Sequence, residues 1–134
     1  MNPIGRIQEQ MSILFRRPEV QLVVLFGSQV KGRARVKSDC DIAVRLDRAA
    51  DLVALTNEVT RLLGITDVDL VDLRRASSLL LMQVATSGVV LYEREPGLFH
   101  RFQSLAYRRY WDTAKFREAQ KRALEVFLAH EGLR

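Results

Sequence analysis

The 134 residues are 48% hydrophobic with a formal net charge of +5, enough apolar material for one cored domain and too much for a disordered chain. One cysteine, Cys40, excludes a disulfide framework, and the two histidines, His100 and His130, have no cysteine cluster to join in a zinc site. The opening residues lack the apolar core of a signal peptide and the longest apolar runs are far too short to cross a bilayer, so a cytoplasmic protein is expected.

Ile4 to Phe15 has apolar residues at roughly helical spacing, and Arg16-Arg17-Pro18 stops that helix because proline disfavours a helical residue before it. Val20 to Phe26, VQLVVLF, reads as a buried central strand bounded by Pro18 and Gly27. A short helical turn over Ser28–Gly32, capped by Ser28, and a polar connection over Arg33–Ser38 follow. Asp39 to Leu46 is the second strand. Its alternation puts Asp39, Asp41 and Ala43 on one face and Cys40, Ile42 and Val44 on the other, so Cys40 is expected to be a buried small hydrophobe.

Asp51 to Leu63 carries a helical stripe and ends at Gly64, a natural helix stop. Val68 to Leu73, VDLVDL, is a third strand. Ser77 or Ser78 caps a helix through about Thr86 that Gly88 closes, and Val89 to Tyr92 is a fourth strand. Pro96 is expected at a first helical position, opening a helical tail from Leu98 to about His130 as two helices or one kinked helix. The stripe Leu98, Phe102, Leu105, Phe116, Ala123, Phe127 predicts that Phe102 and Phe116 pack onto the domain. Trp111 is less suited to that packing. With eight Lys/Arg against four Asp/Glu from residue 96 onward, this tail is basic. The expected fold is α+β, a small mixed sheet with flanking helices. Residues 1–134 form a single domain and 96–134 its C-terminal helical extension.

The chemistry concentrates between Leu22 and Leu46. A glycine lets a backbone approach phosphates closely, and a serine hydroxyl with helix-terminal amides binds phosphate oxygens. Gly27-Ser28 is not a Walker A loop, since no Lys-Ser/Thr pair follows Gly32. Asp39 and Asp41 emerge on one face of a strand, roughly 6.5–7 Å apart along the backbone. Carboxylates so placed converge on magnesium, and two such ions about 3.5–4 Å apart stabilise the attacking and leaving oxygens of an in-line displacement. Between the two halves lie Lys31, Arg33, Arg35 and Lys37, of which Lys31 and Arg33 are the preferred partners of a triphosphate.

Gly27-Ser28, ten residues, then Asp39-Cys40-Asp41 makes the pattern Gly-Ser-X10-Asp-X-Asp, each half at a strand end. Here the chain resembles the DNA polymerase β-like nucleotidyltransferase superfamily. More closely, it resembles the minimal nucleotidyltransferase (MNT) antitoxins that pair with HEPN-domain ribonuclease toxins. The likeness runs from about Val20 to Tyr92. It implies a magnesium-dependent transfer of AMP from ATP to a tyrosine hydroxyl of a cognate HEPN toxin, in a hetero-oligomer. It also implies a third carboxylate near the start of the next strand, which maps onto Asp69, as metal ligand or general base; Asp67 is the alternative, and Asp72 faces away. Under this reading Gly27, Ser28, Lys31 and Arg33 hold the nucleotide, while Asp39, Asp41 and Asp69 hold metal and catalyse. Direct nucleic-acid binding is not expected. The competing functions are a non-catalytic antitoxin that occludes its toxin, through Phe99, Tyr107, Tyr110 and Trp111 among the arginines of the tail, and a nucleotidyltransferase acting on RNA or a small molecule.

Overall fold

The fold is that of a computed structural model, which describes residues 3–27 and 40–131. Its centre is strand β1 (Val20–Phe26), whose run of β-branched and aliphatic residues leaves no polar face. Such a strand must be covered on both sides. It pairs antiparallel with β2 (Cys40–Leu46) and, on its other edge, antiparallel with β4 (Val89–Glu93). β3 (Val68–Asp72) pairs parallel with β2, giving a mixed sheet in the order β3-β2-β1-β4.

Alternation along the strands sorts the core into two clusters. Val23, Leu25, Ile42, Val44 and Leu70 face one side, with Cys40 among them, and pack against Met11, Leu14, Leu55 and Val59. Leu22, Val24, Phe26 and Ala43 face the other side, against Leu81, Val84, Phe102 and Ala106. Each fully buried Leu or Val in these layers is worth roughly 1.5–3 kcal/mol. No side chain of the described core is polar or charged.

The first layer is built by α1 (Pro3–Gln10), α2 (Ser12–Phe15) and α3 (Leu52–Leu63). Where one helix was expected over Ile4–Phe15, there are two, broken at Met11, whose buried side chain sits at the joint. The α2 end is fixed by Phe15 stacking on Tyr92, ring centroids 4.9 Å apart. Asp51 caps α3 by accepting from the Ala54 N–H, and Gly64 ends it in the left-handed conformation that its φ of 69° requires. This helix carries the chain from β2 to its parallel neighbour β3.

The second layer is α4 (Ser78–Ser87) and α5 (Leu98–Asp112). Ser77 caps α4, accepting from the Leu80 N–H. At its other end Gly88 lets the helix touch the sheet: a Cβ there would fall 2.5 Å from Val24 Cγ1. Pro96 does not open α5. Gly97, at φ 90°, is its N-cap, and the Glu93 carboxylate accepts from the Gly97 and Phe99 N–H groups, so the charged side chain satisfies amides that a proline at the first position would have left out of account. The tail then breaks at Thr113 into α6 (Ala114–His130). Arg117 holds the joint, lying 4.0 Å over the Tyr110 ring and donating to the Tyr110 carbonyl.

The expectation for Phe116 is corrected. It is 68% exposed, and α6 buries none of its residues, because the helix turns away from the sheet after Thr113. Phe102 does pack into the core, at 3% exposure. None of the described helices is long and apolar enough to cross a membrane.

Candidate active site

Antiparallel pairing of β1 with β2 and parallel pairing of β2 with β3 bring three strand ends to one edge of the sheet. The end of β1 meets the starts of β2 and β3. The register is direct: Phe26 stands opposite Asp41, and Asp41 opposite Asp69. Residues paired in register share a face, and neighbouring strands lie about 4.8 Å apart. The Asp41 and Asp69 carboxylates therefore rise side by side from the end of the sheet. Asp41 is half-buried and Asp69 exposed. Both belong to the face that carries Phe26, Ala43 and Val71, covered farther along by α4 and α5.

Asp67 lies one residue before β3 and is exposed. Its carbonyl accepts the Cys40 N–H at 2.8 Å, which clamps the start of β2 against the start of β3. By alternation Asp67 shares the face of Asp69, one residue ahead of the Cys40–Val68 pair. Asp72 points to the opposite face and accepts the Arg74 backbone N–H, so its partner is the peptide of that residue. Ser28, Lys31, Arg33 and Asp39 lie outside the described residues.

Gly27 stands against a carboxylate of the site. It was expected to clear space for phosphate. In the structure the atom nearest to where a Cβ would be is Asp41 Oδ2, at 2.2 Å, with Asp41 Cγ at 3.1 Å. Its φ is +83°, a conformation that L side chains rarely adopt. Glycine here gives the Asp41 carboxylate its position. A Gly immediately after a strand and an Asp two residues into an antiparallel neighbour are the signal that would have found this contact.

Cys40, beside Asp41 in sequence, points into the other layer at 1% exposure. Burial first, and the Asp41 charge second, push its thiol up to about 11 from an ordinary 9.0. Because the folded value is the raised one, the stability held below pH 9 is lost as pH climbs to 11. The wild-type chain should lose roughly 2 kcal/mol more than Cys40→Ala across that window, measured as urea midpoints at pH 8.5 and 11. Parallel curves for the two proteins would refute the buried, protonated thiol.

The row Asp41–Asp69 suits a hard divalent cation: its donors are carboxylate oxygens on adjacent strands, with glycine rather than a side chain against one of them. Among the described residues no cluster of three His, Cys, Asp or Glu forms, and the remaining carboxylate of the motif, Asp39, is not among them.

Residues 8–97 match the family model "Polymerase beta, Nucleotidyltransferase". The chain belongs to the polymerase β nucleotidyltransferase family. It is 43% identical over 77 residues to the protein adenylyltransferase MntA of Shewanella oneidensis, an alignment covering 56% of this chain and 55% of that protein. The chain thus matches about half the length of that relative. To the protein adenylyltransferase MntA of Aphanizomenon flos-aquae it is 27% identical over 143 residues, covering 97% and 95% of the two chains. Among solved structures, a toxin–antitoxin crystallised with AMP-PNP superposes with a TM-score of 0.76 at 30% identity, covering 92% of this nucleotidyltransferase and 99% of that chain. A tri-AMPylated Shewanella oneidensis HEPN toxin in complex with MNT antitoxin gives 0.73 at 30% identity, covering 91% and 98%.

Proposed function

We propose that this chain is an antitoxin that transfers AMP from ATP to a tyrosine hydroxyl of a cognate HEPN ribonuclease, and so silences it. The observation that carries the reading is the in-register pair Asp41 and Asp69 at the sheet end, with Gly27 packed against Asp41. Relatives named as protein adenylyltransferases, and an antitoxin complexed with an AMPylated HEPN toxin, support the choice of acceptor class. The AMP-PNP complex supports ATP as donor. The cytoplasm supplies ATP, and a single buried cysteine suits its reducing conditions.

In the reaction the tyrosine oxygen attacks the α-phosphorus of ATP. A new P–O bond forms, the bond to the bridging oxygen breaks, and pyrophosphate leaves with the electron pair. Asp41, Asp69 and Asp39 are the residues that would hold Mg2+, which when bound neutralises phosphate charge and lowers the pKa of the attacking hydroxyl. In this reading Asp69, more exposed than Asp41, either completes that ligand set or takes the tyrosine proton as general base. Ser28, Lys31 and Arg33 contact the triphosphate in this reading. A phosphate and a nucleoside added near an RNA-cleaving site obstruct RNA by bulk and by like charge.

Occlusion without transfer is the second reading, favoured by one observation. Trp111, Phe116, Leu124 and Phe127 are all more than half exposed on α5 and α6. Aromatic anchors of this kind suit a protein partner. Transfer needs such docking as well. Phe116→Ser with Phe127→Ser should leave the denaturation midpoint within about 0.5 kcal/mol of wild type, since neither side chain is buried. The same pair should weaken capture of the HEPN protein at least tenfold in a titration; unchanged affinity would remove this surface from the interface.

The reading is tested by the intact mass of the HEPN partner after incubation with this chain and ATP. A gain of one or more AMP increments, located to tyrosine by peptide mapping, is the expected result. An unmodified partner that has nonetheless lost ribonuclease activity would favour occlusion.

A further inference from the structure

At the other end of the same sheet face, away from Asp41 and Asp69, the fold gathers positive charge that has no partner within the chain. Arg45 shares the alternation of Asp41 and lies four residues beyond it, roughly 13 Å along the strand. It is half-buried, between the buried Val44 and Leu46 of β2. Arg74, in the turn after β3, and Arg109, on α5, join it around a cavity of about 250 Å³ whose lining has no acidic residue. The three are distant in sequence and only the fold assembles them.

Other arginines of the chain find a carboxylate: Arg17 pairs with Glu58, Arg48 with Asp47, Arg101 with Glu95 and Arg122 with Glu118. Among the described residues, no ion pair involves Arg45, Arg74 or Arg109. Acidic residues near them in sequence are engaged elsewhere or stand off. Asp47 is hydrogen-bonded to Arg48 and feels Arg74 through a longer-range attraction that ranks below that bond. Asp72 accepts the Arg74 backbone N–H on the opposite face, and Asp112, three residues after Arg109, makes no ion pair with it. Three like charges around one concavity repel one another unless an anion lies between them, and a half-buried guanidinium calls for a counter-charge. The floor adds no recognition of its own: Leu73, Leu81 and Phe102 are already covered within the core and leave no surface for an apolar body. It keeps water from one side of the arginines, where charges attract more strongly than in bulk. Guanidinium groups match phosphate in a fork geometry, with two parallel N–H donors per arginine. What fits is a compact oxyanion with more than one negative charge.

We propose that this cavity is an oxyanion site, separate from Asp41 and Asp69, which holds inorganic phosphate or pyrophosphate between Arg45, Arg74 and Arg109. It selects by charge and by the guanidinium fork alone. The site needs no metal and no transfer chemistry, so it stands whether or not the chain transfers AMP.

The test is calorimetric titration of the full metal-free chain with inorganic phosphate, pyrophosphate and, as a monovalent reference, acetate, at fixed ionic strength. One or both phosphates should bind saturably and acetate should not. Pyrophosphate binding more tightly than phosphate assigns the site to a diphosphate; equal affinities assign it to a single phosphate group. Arg45→Ala and Arg109→Ala should each weaken binding about tenfold, the size expected for a lost charged hydrogen bond. Arg109→Lys, which keeps the charge and loses the fork, should recover only part of that loss. Arg109 is exposed, so its variants keep the fold and the test stands even if Arg45→Ala is unstable. Two controls separate the site from other positive charge: Arg61→Ala, exposed on α3 in the opposite layer, and Lys31→Ala with Arg33→Ala in the nucleotide motif. Both should bind as wild type. An equal loss in Arg61→Ala reduces the effect to net charge and overturns the proposal. So does a loss confined to the Lys31 and Arg33 variant, as does the absence of saturable binding by either phosphate.

Discussion

Asp41→Asn is expected to lower AMP transfer by roughly a thousandfold, the scale on which removing a transition-state electrostatic contact acts. Asn has nearly the same shape, so it can occupy the space beside Gly27 that the carboxylate fills. It carries no charge, and one of its two oxygens becomes an NH2 group that cannot ligate a cation. The half-buried position and the intact strand pairing predict a denaturation midpoint within about 1 kcal/mol of wild type. Asp69→Asn should act on the same step, and the double variant should lose little more than the worse single one, because groups that serve one site are not additive. Single-turnover transfer rates for the three variants, each with a melting curve, make the comparison. Full activity in Asp69→Asn would transfer the third carboxylate role elsewhere, with Asp67 the first candidate.

Gly27→Ala should damage both stability and activity, and the two effects can be separated. A non-glycine residue at φ +83° costs roughly 1–2 kcal/mol in backbone strain. The new Cβ would also fall 2.2 Å from Asp41 Oδ2, so the carboxylate has to move. A displaced ligand should reduce transfer about a hundredfold, the cost associated with a misplacement of an ångström at a reacting centre. Gly64 supplies the control. It too has positive φ, 69°, yet nothing lies within 4 Å of its would-be Cβ. Gly64→Ala should therefore lose comparable stability and keep wild-type turnover. If both variants transfer AMP at the wild-type rate, the packing of Gly27 on Asp41 has no catalytic consequence.

The sheet was legible because its strands obey simple alternation. Val20–Phe26 was readable to the residue, and the split of Asp41 and Ala43 from Cys40, Ile42 and Val44 is the split between the two core clusters. Two helix ends were legible for the same local reason: Ser77, one of two candidate caps, and the stop at Gly64 act within a few residues of themselves, whereas the Asp51 cap was read as part of its helix. Helix junctions were not. Met11 breaks the first helix, and Glu93 moves the start of α5 past Pro96, through contacts that periodicity does not encode. Phe116 kept the period of a core residue, but the break at Thr113 redirected its helix, and the stripe lost its partner. At the site, the motif named Asp41, and the parallel register of β2 with β3 set Asp69 beside it.

The central claim is that the Asp41–Asp69 row moves AMP onto a protein. The most direct measurement is transfer from α-labelled ATP in a mixture of the cognate HEPN ribonuclease, RNA and this chain, wild type or Asp41→Asn, read alongside RNA cleavage. Label on the HEPN protein and loss of cleavage with wild type, with neither seen for Asp41→Asn, is the result expected here. Label confined to RNA, or full neutralisation by Asp41→Asn at equal stoichiometry, would contradict it.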